Sequence, residues 1–376
     1  MSNPANDGCG NTQGRAGFNT ESEILSQPQC WSACLRELQQ TGKLEEIRSR
    51  FAGTSSWLFV GCGSSYYVAL CAAASMTALA RLSARAVPAS DILLFPEITL
   101  AQTKNSVAVL ISRSGRTSEV LRAAQVLKAR GIPTLAISCA PGQQLEQMAG
   151  AAIVLPPADE KSMVMTRSFS SMLMSLQALA AVLAGNHTAL DALLKLPGAI
   201  EPVLTSLPQR ICDFVARHRF ADYVYLGQGP FYGLACEGAL KVTEMSVSYA
   251  QAFHTLEFRH GPKSIVSPQT LLVFLLSESG YDAECEVLQE MKSLGGITLA
   301  IANKVDSRAR SAADLAVEFS LDVPEVARLA AYLFPTQLLG LYTGLAKGAD
   351  PDQPRNLSRV VLLDEEKPAK PEHAAL

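Results

Sequence analysis

Two carboxylates, an amine and an imidazole follow one another between residues 237 and 260. Glu237, Lys241 and Glu244 are spaced at i, i+4 and i+7 in a stretch without internal proline, so a helix would present all three on one face. His260 follows in the segment RHGPK, where glycine and proline constrain a loop. Carboxylate and imidazole form an acid/base set that works near neutral pH. The pattern favours proton transfer, although a solvated helix face with an ordinary i,i+4 pair has the same spacing.

Hydroxyl and glycine residues cluster at residues 112–118 (SRSGRTS), between an apolar strand pattern and a helical pattern. Unpaired N–H groups and the helix dipole make such a turn an anion site, so the cluster favours phosphate binding over a plain capped turn. The turn at residues 61–65 (GCGSS) has the same character. It is a weaker signal, because tight turns often contain glycine and serine without any ligand.

Strand and helix patterns alternate along the chain, which predicts parallel sheets with a ligand crevice at the carboxyl ends of the strands. Strands are expected at residues 57–60, 106–111, 132–138, 151–155, 223–226, 271–276, 298–302 and 360–363. The main helices are expected at residues 28–39, 66–81, 119–130, 169–184, 231–246, 284–294 and 327–347. Thr20 and Glu23 are expected to form a capping box at the start of an earlier helix. The arrangement recurs after residue 220, which indicates an internal duplication, with Glu278 where an anion would sit in the first copy.

The length of 376 residues allows roughly two domains. We expect a disordered tail at residues 1–19, an N-terminal phosphate-binding domain at 20–185 and a helical connector at 186–219. A C-terminal domain with the acidic helix and the histidine loop should occupy residues 220–363, followed by a tail at 364–376.

Composition excludes several classes of function. A formal net charge of -3 gives no case for binding nucleic acid or an anionic membrane surface. The longest apolar runs are too short to span a bilayer and the first residues are polar, so a cytoplasmic protein is expected. The nine cysteines form no CxxC pair and are expected to be free thiols rather than disulfides or metal ligands.

Four segments together resemble the double sugar-isomerase (SIS) family, in particular the isomerase half of glucosamine-6-phosphate synthase: SRSGRTSE, CEGALKVTEMS, FRHGPKS and DQPRNLSR. The resemblance covers residues 21–363. It implies an α/β fold with two flavodoxin-like, parallel-sheet, three-layer sandwich domains in tandem. It also implies a homodimer that acts on hexose or hexosamine 6-phosphates and needs neither metal nor organic cofactor.

The resemblance implies a role for each matching residue. The residues that would contact the substrate are Gly63, Ser64, Ser65, Ser112, Ser114, Thr117, Thr166, Arg167 and Glu237. Of these, Ser65 and the loop at 112–117 would hold the phosphate, and Thr166 and Arg167 would line the sugar pocket. Glu244 would move a proton between C1 and C2 of the sugar. His260, provided by the neighbouring subunit, would open the sugar ring, and Lys241 would stabilise the charge that develops on the sugar oxygen.

Two departures from the synthase restrict the expected chemistry. Only a short segment precedes the first strand, so no glutaminase domain is expected in this chain. Arg359 also stands where the synthase has its Schiff-base lysine, and a guanidinium stays protonated and cannot form that imine. Synthesis of glucosamine 6-phosphate by the synthase route is therefore not expected.

The leading hypothesis is a deaminase/isomerase that converts glucosamine 6-phosphate, or a similar hexosamine 6-phosphate, to fructose 6-phosphate and ammonia. The segments FRHGPKS and MTRSF also resemble ketose/aldose isomerases of tagatose and galactosamine 6-phosphates, which is the closest alternative. A fructosamine-6-phosphate deglycase is a third. A non-catalytic phosphosugar-binding regulator is a fourth, although such proteins usually carry a helix-turn-helix or lack the carboxylate and histidine pair.

Overall fold

A computed structural model describes residues 14–363 and contains two five-stranded sheets in which every strand pair is parallel. The strands are β1 Ser56–Gly61, β2 Ser83–Pro88, β3 Ser106–Ile111, β4 Thr134–Ser138, β5 Ala151–Val154, β6 Asp222–Gly227, β7 Ala250–Phe253, β8 Thr270–Leu275, β9 Ile297–Ala302 and β10 Leu315–Glu318. The first sheet has the order β2-β1-β3-β4-β5 and the second β10-β9-β8-β6-β7. Counted from the first strand of each sheet, both follow the order 2-1-3-4-5 of flavodoxin-like folds. The predicted duplication and fold class are confirmed.

Helices cover both faces of each sheet. They are α1 Phe18–Leu25, α2 Gln27–Gln40, α3 Lys43–Arg50, α4 Ser64–Ala80, α5 Ala89–Leu94, α6 Pro96–Thr99, α7 Ser118–Ala129, α8 Gln144–Met148, α9 Arg167–Leu183, α10 His187–Leu204, α11 Leu207–Arg217, α12 Tyr232–Ser246, α13 Tyr281–Ser293, α14 Ser307–Ala312 and α15 Leu333–Ala346. Short 3₁₀ segments lie at Pro156–Ala158, Gly229–Phe231, Glu257–Arg259, Pro262–Ile265 and Glu325–Tyr332.

One continuous apolar core joins the facing sides of the two sheets. It runs from Trp57 and Phe59 of β1 through helices α4, α9, α12 and α15 to Tyr225 of β6. Separate cores fill the two outer faces. The two sheets therefore share a central helical layer, and α12 of the second half packs directly on α4 of the first.

Gly233 permits this close approach of α12 to α4. A Cβ atom at Gly233 would lie 2.6 Å from Sγ of Cys71 and 3.1 Å from the carbonyl oxygen of Tyr67. Both contacts are shorter than van der Waals separation, so a larger side chain would push the helices apart. This packing places the polar face of α12 against the start of α4.

The structure corrects several expectations about single elements. Helix α1 begins at Phe18 without a side-chain cap, so the capping box of Thr20 and Glu23 is wrong. Both side chains bond elsewhere instead: the Thr20 hydroxyl donates to Asp352, and Glu23 accepts from Ser162. Residues 360–363 form no strand. They bond to the start of α7, where Ser118 N–H donates to the Val361 carbonyl at 3.3 Å.

The remaining differences concern the chain ends, the connector and the cysteines. Of the predicted tails, residues 1–13 and 364–376 lie outside the described residues, while α1 already begins within the predicted N-terminal tail. Two helices, α10 and α11, fill most of the predicted connector, and α10 contains Pro197 and Pro202. Seven cysteines are free thiols, as predicted for those positions: Cys30, Cys34, Cys62, Cys71, Cys139, Cys236 and Cys285.

Candidate active site

Helix α12 carries a ladder of charges on one face, as its spacing predicted. The ammonium of Lys241 lies 3.2 Å from Oε1 of Glu237 and 2.5 Å from Oε2 of Glu244. The side chains of Lys241 and Glu237 are fully buried, whereas that of Glu244 retains 16% of its exposure. A buried cation held between two carboxylates is not a solvated helix face, so the simpler interpretation of this spacing is excluded. Glu244 is the member of the ladder that solvent and a substrate can reach.

Ser64, the first residue of α4, connects this ladder to the first sheet. Its hydroxyl donates to Oε1 of Glu237 at 3.1 Å and accepts from Nζ of Lys241 at 3.1 Å. Because α4 begins directly after β1, these bonds fix the acidic helix to the carboxyl end of a central strand of the other half. Ser64 itself is committed to this network.

Burial and neighbouring charge shift the pKa values of the ladder. Burial, reinforced by the charge of Glu244, raises the pKa of Glu237 to about 8, although Lys241 and Ser64 oppose that shift. For Lys241, burial acts to lower the pKa, but the two carboxylates outweigh it and leave the pKa raised. Lys241 therefore stays charged at neutral pH, and the protonated form of Glu237 is populated there.

The serine loop follows β3, the neighbour of β1, so it lies beside the start of α4. The hydroxyls of Ser112 and Thr117 are 2.9 Å apart, and the Ser114 hydroxyl accepts from the N–H of Arg116 at 3.2 Å. Within residues 14–363, no acceptor contacts the backbone N–H groups of Ser114 and Thr117. Gly115 has φ 64°, a left-handed conformation that lets the loop turn back on itself. The loop therefore offers unpaired donors at the start of α7, as an anion site requires.

A buried carboxylate that the sequence analysis missed, Glu160, organises the neighbouring segment 160–168. Its Oε1 accepts from the N–H of Thr166 at 2.6 Å and from the Thr166 hydroxyl at 2.8 Å. Its Oε2 accepts from Arg113 at 3.1 Å and from the Ser168 hydroxyl at 2.5 Å. Glu160 thus ties this segment to the serine loop through Arg113. Its bond to Arg113 joins positions 47 residues apart, which no local pattern in the sequence indicates.

Four residues predicted to contact the substrate lie in this segment or at the start of α4, in different environments. Thr166 is fully buried and committed to Glu160, and Arg167 donates to the Asp159 carbonyl at 3.0 Å. The Ser65 hydroxyl lies 4.0 Å from Sδ of Met165, which places the segment against the start of α4. Roles of Thr166 and Arg167 in sugar binding stay predictions. Gly63, just before α4, has φ 54°, which glycine adopts without strain.

His260 lies apart from the ladder, between two 3₁₀ segments. Its side chain is exposed and has no hydrogen bond or ion pair among the described residues. The flanking cations anchor the loop, since Arg259 and Lys263 both bind Glu290, at 2.8 and 2.7 Å. His260 is thus exposed on an anchored loop, and no hydrogen bond or ion pair within residues 14–363 connects it to Glu244.

The segment 350–363 crosses from the second half back to the serine loop. Asp352 accepts from the backbone N–H groups of Asn19 and Thr20, at 3.0 and 2.7 Å. Arg359 pairs with Asp159 at 2.5 Å, and its carbonyl accepts from Arg113 at 3.1 Å. The guanidinium that replaces the expected Schiff-base lysine is therefore held in an ion pair.

The two halves of the fold correspond to two copies of one domain type. A family model described as SIS domain matches residues 51–182 and again residues 222–341, and the chain belongs to this family. The two matches coincide with the two sheets.

Relatives with curated names include glutamine–fructose-6-phosphate aminotransferases (isomerizing). That of Brucella abortus is 28% identical over 361 residues, which cover 92% of this chain and 58% of the relative. That of Gluconobacter oxydans is 30% identical over 316 residues, covering 81% and 51%. This chain therefore spans between half and three-fifths of the length of these relatives, and the matched part is consistent with their isomerase half.

Solved structures of similar proteins cover nearly the whole chain. A glucosamine-6-phosphate deaminase from Thermotoga maritima is 30% identical with a TM-score of 0.76, over 92% of this chain and 100% of that one. A tagatose-6-phosphate ketose/aldose isomerase from Escherichia coli has a TM-score of 0.80 over 96% and 100%. Its identity of 23% supports the fold alone.

Residues 14–363 contain no group of three or more His, Cys, Asp or Glu side chains placed to hold a metal ion. None of the helices in the same range combines the length and the apolar character needed to cross a bilayer.

Proposed function

We propose that the protein is a hexosamine-6-phosphate deaminase/isomerase, converting glucosamine 6-phosphate or a close relative to fructose 6-phosphate and ammonia. The observation that carries the proposal is the bridge from Ser64 to Glu237 and Lys241. It holds the acidic helix of one half against the strand ends where the other half offers free phosphate donors. A substrate anchored by its phosphate would present its opposite end to Glu244 with little orientational freedom.

The chemistry follows from the charges of the ladder. Glu244 takes the proton from C2 of the open-chain amino sugar and returns it to C1, so the C2–N bond becomes an imine that water hydrolyses to the ketone and ammonia. Lys241 contacts Glu244 directly, so it holds that carboxylate in place. It also provides positive charge beside the oxygen on which negative charge develops.

The exposed position of His260 supports a homodimer with shared active sites. An imidazole on an anchored, outward-facing loop is placed to serve another subunit rather than its own. We infer that His260 of one subunit opens the sugar ring in the active site of its neighbour.

Mixing two inactive variants tests the shared site. Glu244→Gln and His260→Ala dimers should each lack activity, and mixed dimers have one intact site out of two. An equal mixture that exchanges subunits at random should recover about a quarter of the wild-type activity, because half of the dimers are mixed. No recovery, with subunit exchange verified by differently tagged chains, would place histidine and carboxylate in the same subunit.

An isomerase that acts on tagatose or galactosamine 6-phosphate is the alternative, favoured by the segment FRHGPKS. The two are separated by coupled assays for ammonia and for ketose 6-phosphate over a panel of hexose and hexosamine 6-phosphates. The proposal expects stoichiometric ammonia from a gluco-configured amine. Turnover of galacto-configured substrates without ammonia from any amine would promote the alternative.

A further inference from the structure

Two adjoining cavities open at the carboxyl edge of the second sheet, where β8, β9 and β10 end. The larger, of about 510 Å³, is lined by residues that follow these strands, among them Glu278, Lys304 and Asp322. The smaller, of about 220 Å³, shares Glu278, Asn303 and Lys304 with it. Open α/β sheets bind ligands outside the carboxyl ends of their strands, so this edge is where a ligand of the second half is expected.

These cavities are separate from the site around Glu244. Helix α12 starts at Tyr232, just after the carboxyl end of β6, and runs back toward the amino edge of the sheet, where the parallel strand β7 begins at Ala250. Glu244 lies near the end of this helix. It is therefore close to the opposite edge of the second sheet.

The wall of the larger cavity contains buried polar side chains that are already bonded. Arg328 is 2% exposed, donates to the Val323 carbonyl and pairs with Glu278. The Asn303 side chain donates to the Leu321 carbonyl at 3.2 Å and accepts from the Leu321 N–H at 2.8 Å. These bonds fix the shape of the cavity, so it exists before any ligand binds.

Two opposite charges remain unpaired on this wall. Lys304 and Asp322 are exposed, both line the larger cavity, and neither forms a hydrogen bond or an ion pair among residues 14–363. A ligand with both a carboxylate and an ammonium would pair both charges, whereas a simple anion or cation would leave one without a partner. A phosphate is disfavoured, because Glu284 and Glu325 occupy the donors of the adjacent loop 277–280.

The smaller cavity has an apolar part that a ligand can reach from Lys304. Leu276, Ala302 and the ring of Tyr281 line it. The Tyr281 hydroxyl accepts from the N–H of Asp306 at 2.9 Å, which fixes the ring in this wall. Apolar walls with a few polar groups at one end are typical of small-molecule sites.

We propose that the two cavities bind a free α-amino acid with an apolar side chain. Its carboxylate binds Lys304, its ammonium binds Asp322, and its side chain occupies the smaller cavity. The amino acid is a ligand of this second site and takes no part in the reaction at Glu244. The proposal therefore does not depend on the proposed function.

Isothermal titration of the whole protein with L-leucine and two matched analogues tests the site. The analogue 4-methylpentanoate lacks the ammonium, and 3-methylbutylamine lacks the carboxylate. Leucine should bind at least about tenfold more tightly than either, because each analogue loses a hydrogen bond between charged groups.

Variants assign each charge to its partner. Lys304→Gln should weaken leucine binding about tenfold and remove its preference over 3-methylbutylamine, and Asp322→Asn should do the same relative to 4-methylpentanoate. Both replaced side chains are exposed, so the melting temperature should not change. Lys195→Gln and Asp191→Asn on α10 are the controls, since both residues are exposed and have no ion pair in the described range, and should leave leucine binding unchanged.

The outcomes are independent of those for the deaminase. No binding of leucine to the wild-type protein at two temperatures, equal binding of leucine and its analogues, or binding that survives both variants overturns the proposal. Glucosamine 6-phosphate turnover, measured without leucine, should be the same in Lys304→Gln, Asp322→Asn and the wild type.

Discussion

The two sheets have the same strand order, but the loops at their carboxyl ends have opposite character. After β3, the hydroxyls of Ser112 and Thr117 contact each other, and neither bonds to a carboxylate of residues 14–363. After β8, the Ser277 hydroxyl and N–H both donate to Glu284, at 3.0 and 2.6 Å, and the Ser279 hydroxyl donates to Glu325 at 3.2 Å. Carboxylates of the chain itself therefore occupy the donors that the first loop leaves open.

This difference shows how a duplicated fold can support a single site. The loop of the first half leaves donors open for an anion, whereas carboxylates fill the loop of the second half, which contributes the acidic helix α12 instead. Ser64 joins the two contributions. The two halves thus share their strand order but not the chemical character of their loops. Equivalent substitutions in the two halves should therefore have different effects.

The largest difference should follow removal of the buried cation in each half. At a pH above the Glu237 pKa of about 8, Lys241→Met leaves an ionised Glu237 fully buried beside Glu244 without a counter-ion, and should lower the free energy of unfolding by about 3–5 kcal/mol. Arg328→Met should cost less, because its carboxylate partner Glu278 keeps 54% of its side-chain exposure and remains hydrated. Urea denaturation of both variants measures this. A larger loss for Arg328→Met would contradict the interpretation of the ladder.

Removal of a carboxylate should affect turnover in one half of the protein only. Glu244→Gln should lower kcat by a factor on the order of 10² or more while ligand binding is retained, because a general base is removed without changing shape. Glu325→Gln at the second loop should leave kcat within about twofold. Steady-state kinetics with glucosamine 6-phosphate measures both. A variant at Glu244 that turns over normally would indicate a different base, whereas wild-type protein that binds phosphosugars without turning any of them over would indicate a sensor.

Removing a serine hydroxyl should raise KM in the first loop but not in the second. Ser112→Ala removes a donor to the substrate phosphate and should raise KM about tenfold or more, as expected for a hydrogen bond to a charged group. Ser279→Ala, whose hydroxyl contacts Glu325, is the matched control and should leave KM within about twofold. Equal effects would mean that the second loop also binds phosphate.

The smallest predicted effect is a pH dependence of stability caused by Glu237. Its pKa in the folded protein is about 8, raised mainly by burial, so between pH 4.5 and 8 the folded state holds a proton that the unfolded state releases. The free energy of unfolding should therefore fall as pH rises through that window. Glu237→Gln should remove that slope, while Glu37→Gln on the surface of α2 should not. An unchanged slope in Glu237→Gln would show that Lys241 keeps Glu237 ionised throughout.

The parts of the fold that could be predicted from the sequence are the buried elements, because burial requires a recognisable apolar pattern. Strands β3 and β8 are buried on every residue, and their apolar runs identified them. The strands β2, β7 and β10 were missed. All three lie at sheet edges, where partial exposure removes the continuous apolar run that a central strand needs.

The candidate site also has a part that the sequence predicts and a part that it does not. Local spacing predicted the ladder of α12 and the serine loop, because each lies within one turn or one helix face. The role of Glu160 could not be predicted, since its link to the serine loop through Arg113 depends on how segments distant in the sequence come together. The commitment of Ser64 to α12 likewise depends on the packing of the two halves.

The most direct test is a crystal structure with a hexitol 6-phosphate, which cannot react. The account predicts the phosphate within hydrogen-bonding distance of Ser112, Ser114 and Thr117, and C1 and C2 beside the carboxylate of Glu244. A phosphate bound at residues 277–280, or a sugar that does not reach Glu244, would contradict it.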